Sequence, residues 1–282
     1  MNICCTSDFC GSQGDFGSRI REIAETGFTH YFWCHQWNTD FLYTKPELDE
    51  IRKVQKSAGL KLLDIHGSDG SAGTFQWAST DETYRRLGVE LVYNRLRLFA
   101  MLRGEGALMM HIPFYVVGQT EEQRAQVSRR IGAVCRSLDE LVPACQSLGM
   151  RIALENTPGD TFEAHSELFR RYPVDIIGLC YDSGHGNIRD ARGECHGLEH
   201  LEEHLDRLMA LHLNDNDGSG DQHMPPFYGT VDWTRLVGDI RRSAYPRMLS
   251  FELSILNTPF KDDPAAFCAD AHERCMRVAA LT

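Results

Sequence analysis

Six short, mainly apolar runs in this 282-residue chain each finish on a side chain able to hold a divalent cation or carry a proton. Leu60–Gly67 carries His66 near its end, Ala107–Pro113 carries His111, and Arg151–Asn156 carries Glu155. Ile176–Asp182 ends in Asp182, Leu208–Leu213 carries His212, and Met248–Glu252 ends in Glu252. Runs of this length followed by Gly- and Asp-rich residues read as buried strands that give way to loops. Taken singly, a strand-end His or Glu is more often hydrogen-bonded locally than bound to metal. Six that converge need another account. Carboxylates gathered away from water repel one another and lose hydration, whereas a divalent ion keeps them ionised.

Glu155, Asp182, His212 and Glu252 are therefore the expected metal ligands, with a hydrogen-bonded polar core as the alternative. A mixed carboxylate and imidazole set suits Mn²⁺, Zn²⁺, Co²⁺ or Mg²⁺. His185 follows Asp182 by three residues, just beyond the strand. Asp221 and His223 sit in the loop after His212, where Asp-x-His on an extended backbone puts both side chains on one side. His66, His111, His185, Asp221 and His223 are thus expected as additional metal ligands or substrate contacts.

These residues need a scaffold that aims strand ends at one place. Asn2–Thr6 and Phe28–Trp33 raise the strand candidates to eight, and helical patterns separate them. Ile20, Ile23 and Ala24 form a face ending at Gly27, and a second helix runs from Pro46 to Gly59. Ser79 or Thr80 is expected to cap a long helix with Tyr84, Leu87, Leu91, Leu98 and Leu102 on its core face. Thr120 with Gln123 makes a capping box for a stripe reaching Leu148, in which Pro143 predicts a kink. Further helices fall near 164–171, 198–207, 233–242 and 264–279. Strict β–α alternation implies parallel pairing with right-handed crossovers, and eight units fit a closed (β/α)8 TIM barrel of the α/β class. A single domain over residues 1–282 is expected. An open doubly wound sheet would carry Gly-x-Gly-x-x-Gly after its first strand, and none is present.

Composition narrows the function. Hydrophobic content of 42% with 24% charged residues is that of a globular chain. A formal net charge of −11 disfavours nucleic acid and anionic membranes, whose affinity is built from Lys and Arg. No basic-plus-apolar leader is seen, and no apolar run approaches the roughly 18 residues of a membrane span, so a cytoplasmic location is expected. The ten cysteines lack a Cys-x-x-Cys zinc pair and read as reduced, mostly buried thiols. Self-association is left open.

The runs Ile152–Asn156, Cys180–His185 and His212–Asp215, with Glu252 closing the last strand, resemble the xylose-isomerase-like TIM-barrel superfamily. That group includes sugar isomerases and epimerases and apurinic-site endonucleases of the endonuclease IV type. Resemblance to the ketose epimerases implies that Glu155, Asp182, His212 and Glu252 hold one ion and that His185 contacts the sugar. Those enzymes place an arginine shortly after the seventh-strand histidine, where this chain has Asp215-Asn216-Asp217-Gly218. Resemblance to the endonuclease implies a three-zinc cluster on His66, His111, Glu155, Asp182, His185, His212, Asp221, His223 and Glu252.

The two chemistries make different demands. Isomerisation or epimerisation needs a base beside a carbonyl and a Lewis acid for the enediolate, and Glu155 and Glu252 are the expected proton carriers. Phosphodiester cleavage needs a basic surface to grip and flip a nucleotide. The mouth loops carry only Lys45, Arg189, Arg192 and Lys261 as bases, against many aspartates. The arginine pairs at 85–86, 129–130, 170–171 and 241–242 fall on helices and read as solvated outer charges. The expected partner is an unphosphorylated sugar or polyol, with no nucleic acid and no membrane. A barrel that binds a metal–polyol complex without turnover is the reading outside catalysis. Trp33, Trp37, Phe75, Trp77, Phe114, Tyr115, Phe227 and Tyr228 fall in or beside the mouth loops, and of these Trp33, Trp77 and Phe114 are expected to line the substrate site, with loop anchoring or a subunit interface as the alternative.

Overall fold

The computed structural model describes residues 2–11, 15–71, 74–190, 192–246 and 248–281; both ends of the expected 1–282 domain, Met1 and Thr282, lie outside them. Eight parallel strands form one sheet: β1 Cys4–Thr6, β2 His30–Trp33, β3 Lys61–His66, β4 Leu108–His111, β5 Ile152–Glu155, β6 Ile177–Asp182, β7 Leu208–His212 and β8 Ser250–Phe251. Each pairs with its neighbour in sequence, and β1 pairs with β8. The last seam is closed just beyond β7. Leu213 N donates to Ser250 O at 2.9 Å and Glu252 N donates to Leu213 O at 3.0 Å, giving a parallel Leu213–Phe251 bridge. The result is a (β/α)8 barrel.

Among the described residues the helices are α1 Phe16–Thr26, α2 Lys45–Ala58, α3 Glu82–Leu102, α4 Glu121–Leu148, α5 Glu163–Arg171, α6 Ser183–Asn187, α7 Gly197–Glu203, α8 Trp233–Arg242 and α9 Pro264–Ala279. The Thr120–Gln123 capping box is formed, and α4 runs unbroken through Pro143 to a left-handed Gly149 with φ 65°. The expected helix over 198–207 divides into α7 and a 3-10 turn, Leu205–Arg207. No helix is long and apolar enough to cross a membrane among the described residues.

Three details of α3 differ from the sequence reading. Its N-cap is Asp81, not Ser79 or Thr80, because the Asp81 carboxylate accepts from both Thr83 N and Tyr84 N. Tyr84 and Leu87 are 57% and 52% exposed, so the core stripe begins only at Leu91. Arg85 is 1% exposed and not solvated. Its Nη1 donates to Ser137 Oγ at 3.0 Å and its Nε to Glu82 Oε2 at 2.8 Å, while Nη2 reaches Glu140. Ser137 in turn donates to Trp77 O at 2.6 Å, which ties α3 and α4 to the 3-10 turn Gln76–Ala78. Gly88 permits that turn to lie against α3, since a Cβ there would meet Trp77 N at 2.1 Å.

The strand period of two sorts the barrel into layers. Ile152 and Leu154 of β5 join the large outer core, while Ala153 joins a small inner cluster with Met109, Cys180 and Ala210. Two residues further along the same inward faces stand Glu155, His111, Asp182 and His212. Apolar side chains, from Ala153 and Ala210 to Met109 and Phe32, fill the barrel, and polar ones cap it at the C-terminal mouth.

Candidate active site at the barrel mouth

Glu155, Asp182, His212 and Glu252 each offer a ligand atom, and these four atoms lie within 4.8 Å of one another. Asp182 and His212 are 0% exposed, Glu155 1% and Glu252 7%. Asp182 is anchored from three sides. Its N donates to Asn156 Oδ1 at 2.7 Å, its Oδ2 accepts from Asn214 Nδ2 at 2.8 Å, and its Oδ1 accepts from His185 N at 2.6 Å. The last contact caps α6, a one-turn helix that the sequence reading missed because Ser183-Gly184-His185-Gly186-Asn187 lacks helical patterning. His212 stacks on Phe32 with centroids 4.4 Å apart. Its Nδ1 sits 3.1 Å from Glu155 Oε1 and 2.8 Å from Glu252 Oε2.

The electrostatics follow from that placement. Burial opposes a charge on His212, but Cys180, Glu252 and Glu155 outweigh it and hold the imidazole well above its ordinary pKa. Burial likewise opposes the Glu155 carboxylate, yet His212 brings its pKa down to about 2, and Glu252 is lowered in the same way. Asp182 is pushed up to about 6 by burial, which outweighs the His185 imidazole 3.9 Å from its Oδ1. The placement thus favours positive charge on His212 and negative charge on the Glu155 and Glu252 carboxylates beside it, with the Asp182 carboxyl next to them.

The other expected residues surround this ring. His111 has its Nδ1 fixed by Asp69 Oδ2 at 2.6 Å, so Nε2 faces Glu155 Oε2 at 3.5 Å. His66 Nδ1 bonds Gly67 O at 2.8 Å, and ligand atoms of His66, His111 and Glu155 also lie within 4.8 Å of one another. On the opposite side Asp182, His185 and His223 make a third such group. Asp221 bridges the two imidazoles, with Oδ2 3.4 Å from His185 Nε2 and Oδ1 2.9 Å from His223 Nε2. This is not the extended Asp-x-His arrangement expected. His223 is left-handed at φ 48°, turned where Ser254 N donates to its carbonyl at 2.8 Å.

A cavity of about 350 Å³ opens above the ring. Its aromatic wall is Trp37 and Phe75, not the expected Trp33, Trp77 and Phe114. Trp33 and Trp77 are 2% and 0% exposed and lie in the outer core. Trp33 packs on Phe16 at 4.7 Å, and Trp77 donates Nε1–H to His111 O at 3.0 Å, a positioning contact from behind. Phe114 is half-buried and outside the cavity lining. Arg130 lies over Phe75, guanidinium to ring centroid 5.2 Å, on a half-buried side chain and so is not purely solvated. Thr6, Asp8, Cys34 and Asp69 also line the cavity and were not singled out as site residues from sequence; no Lys or Arg lines it among the described residues.

Known proteins share this architecture. The uncharacterized protein y4fM of Sinorhizobium fredii is 30% identical over 250 residues, covering 82% of this chain and 78% of its own. The solved structure of a D-tagatose 3-epimerase-like protein superposes with a TM-score of 0.74 at 19% identity, covering 99% of this chain and 98% of that one. The IOLI protein with a binding zinc atom gives a TM-score of 0.70 at 15% identity, covering 99% and 97%. Residues 20–269 match the family model described as xylose isomerase-like TIM barrel, and the chain belongs to that family.

Proposed function

We propose that this protein is a divalent-metal-dependent sugar isomerase or epimerase that moves a proton beside a carbonyl, through an enediolate, on an unphosphorylated sugar or polyol. The observation that carries the reading is the buried quartet Glu155, Asp182, His212 and Glu252. The residues fit a cation: three carboxylates and an imidazole converge, and Glu155 Oε2 is buried with no hydrogen-bond partner among the described residues. A cation held there would supply positive charge to stabilise the enediolate oxygens. Glu155 and Glu252, on either side of His212, would take the proton and return it. The cavity, lined by no Lys or Arg among the described residues, favours an uncharged ligand. A zinc atom in IOLI and an epimerase-like relative of the same fold support the reading.

A second reading, a multi-zinc phosphodiesterase, is favoured by the groups His66–His111–Glu155 and Asp182–His185–His223, which flank the quartet. Metal analysis with solvent-deuterium exchange on a panel of ketoses separates the two. Metal-dependent wash-in is the expected result. Nicking of abasic DNA by protein with a flanking group also loaded, without wash-in, would establish the second. Binding of a metal–ketose complex with neither reaction would leave a non-catalytic barrel.

A further inference from the structure

The cavity has one arc that the ligand ring does not occupy, where β1 and β2 end and Thr6, Asp8 and Cys34 enter the wall. Asp8 is presented there by a locked turn. Its neighbours Ser7 and Phe9 are both 0% exposed. Ser7 N donates to Phe32 O at 2.9 Å, Ile255 N donates to Phe9 O at 2.8 Å, and the Phe9 ring stacks on Phe267 at 5.3 Å. Between these fixed points the Asp8 side chain stays 25% exposed, facing the cavity.

No Lys or Arg forms an ion pair with Asp8 among the described residues. Among the described residues its ion-pair neighbour is His35, whose Nδ1 is 3.6 Å away, beyond a hydrogen bond. Burial lowers His35 to a pKa of about 4, so that imidazole is neutral near pH 7. Burial and then the charge of Glu252 raise Asp8 to about 7. A half-buried carboxyl without a partner is costly, and a hydroxyl group answers it in either protonation state because it both donates and accepts.

We propose that Asp8 is a substrate-binding residue: it hydrogen-bonds a hydroxyl at the end of an uncharged polyhydroxylated substrate remote from the quartet, and it excludes anionic counterparts. This rests on the isomerase or epimerase reading above. The test is calorimetric titration of Mn²⁺-loaded wild type, Asp8→Ala and Asp8→Asn with D-fructose, D-tagatose and the anionic 5-keto-D-gluconate. Asp8→Ala should weaken the neutral ketoses by about tenfold, the loss of one hydrogen bond to an acidic group. Asp8→Asn should narrow the preference for neutral over anionic ligand by a similar factor, with Mn²⁺ affinity and melting temperature unchanged in both variants. A merely structural residue would not move that charge preference. Ketoses bound equally by all three proteins, with one neutral-to-anion ratio, would overturn the role of Asp8 and leave the isomerase reading standing. A wild type that binds no ketose would overturn both. Loss of Mn²⁺ from the variants would also overturn it, since Asp8 would then act through the metal ring.

Discussion

Filling the quartet with a divalent cation is expected to raise the melting temperature and release a proton, and Glu155→Gln should lose both responses. Ligand atoms of three carboxylates lie within 4.8 Å of one another, a spacing at which two charges repel by about 3.5 kcal/mol at an effective dielectric of about 20. In the metal-free protein this is offset by the proton on His212, whose Nδ1 stands 3.1 and 2.8 Å from Glu155 and Glu252. A cation at the same position must displace that proton, because a metal-bound imidazole is neutral. His212 has a raised folded-state pKa. Its ion pairing therefore stabilises the metal-free fold fully below the unfolded pKa of about 6.5 and is lost as pH rises through the folded value. Metal affinity should rise with pH over that same window. At about 1,000 times Kd the cation contributes about 4.1 kcal/mol. An unfolding entropy of about 2.1 cal/mol/K per residue over 282 residues converts this to a shift of about 7 °C. Thermal melts of metal-depleted protein titrated with Mn²⁺ or Zn²⁺ between about pH 6 and 8 read the effect. Equal shifts in wild type and Glu155→Gln, or an affinity that falls as pH rises, would refute the reasoning.

Glu252→Gln should slow solvent-deuterium exchange into substrate by about 10²–10⁴-fold, measured by mass spectrometry under saturating metal; an unchanged rate would remove Glu252 from proton transfer. Asp69→Asn releases the His111 ring from a carboxylate 2.6 Å away. Affinity for a cation on His66, His111 and Glu155 should then fall about 10- to 100-fold, and an unaltered binding isotherm would mean that only the quartet is loaded. Arg85→Ala should destabilise the fold in urea by less than the about 3–5 kcal/mol of a fully buried pair, because Glu82 and Glu140 are 48% and 49% exposed and can rehydrate.

The barrel was legible because its strands are apolar runs cut off by Gly- and Asp-rich loops, and because Gly59, Gly149 and the Thr120 capping box mark helix ends chemically. The convergence of the candidate ligand side chains at the barrel mouth was legible for a related reason. Glu155, Asp182 and His212 each follow small or apolar inward residues by two positions, so strand alternation fixes where they point. The aromatic wall was not. Phe28–Trp33 carries aromatic residues and one polar residue on each face, so alternation does not reveal that Phe32 points inward and Trp33 outward. The cap of α3 was ambiguous because Ser79, Thr80 and Asp81 all cap well, and only the structure shows the Asp81 carboxylate accepting from both Thr83 N and Tyr84 N. Arg85 resembles its exposed neighbour Arg86 in sequence, and only the α3–α4 crossing buries it.

The seam between β7 and β8 also sets a schedule for the site. During synthesis, His66, His111, Glu155, Asp182 and His212 all emerge before Glu252, so the ring is one carboxylate short until the final strand docks. That docking pairs strands distant in sequence, β8 against β1, and such contacts carry a loop entropy that must be met first. Leu213 bonds residues on both sides of Phe251, so the hydrogen bonds that complete the barrel also deliver Glu252 to the ring. A cation captured there would act as a latch on the closing of the barrel, resisting reopening at the place where its first and last strands meet.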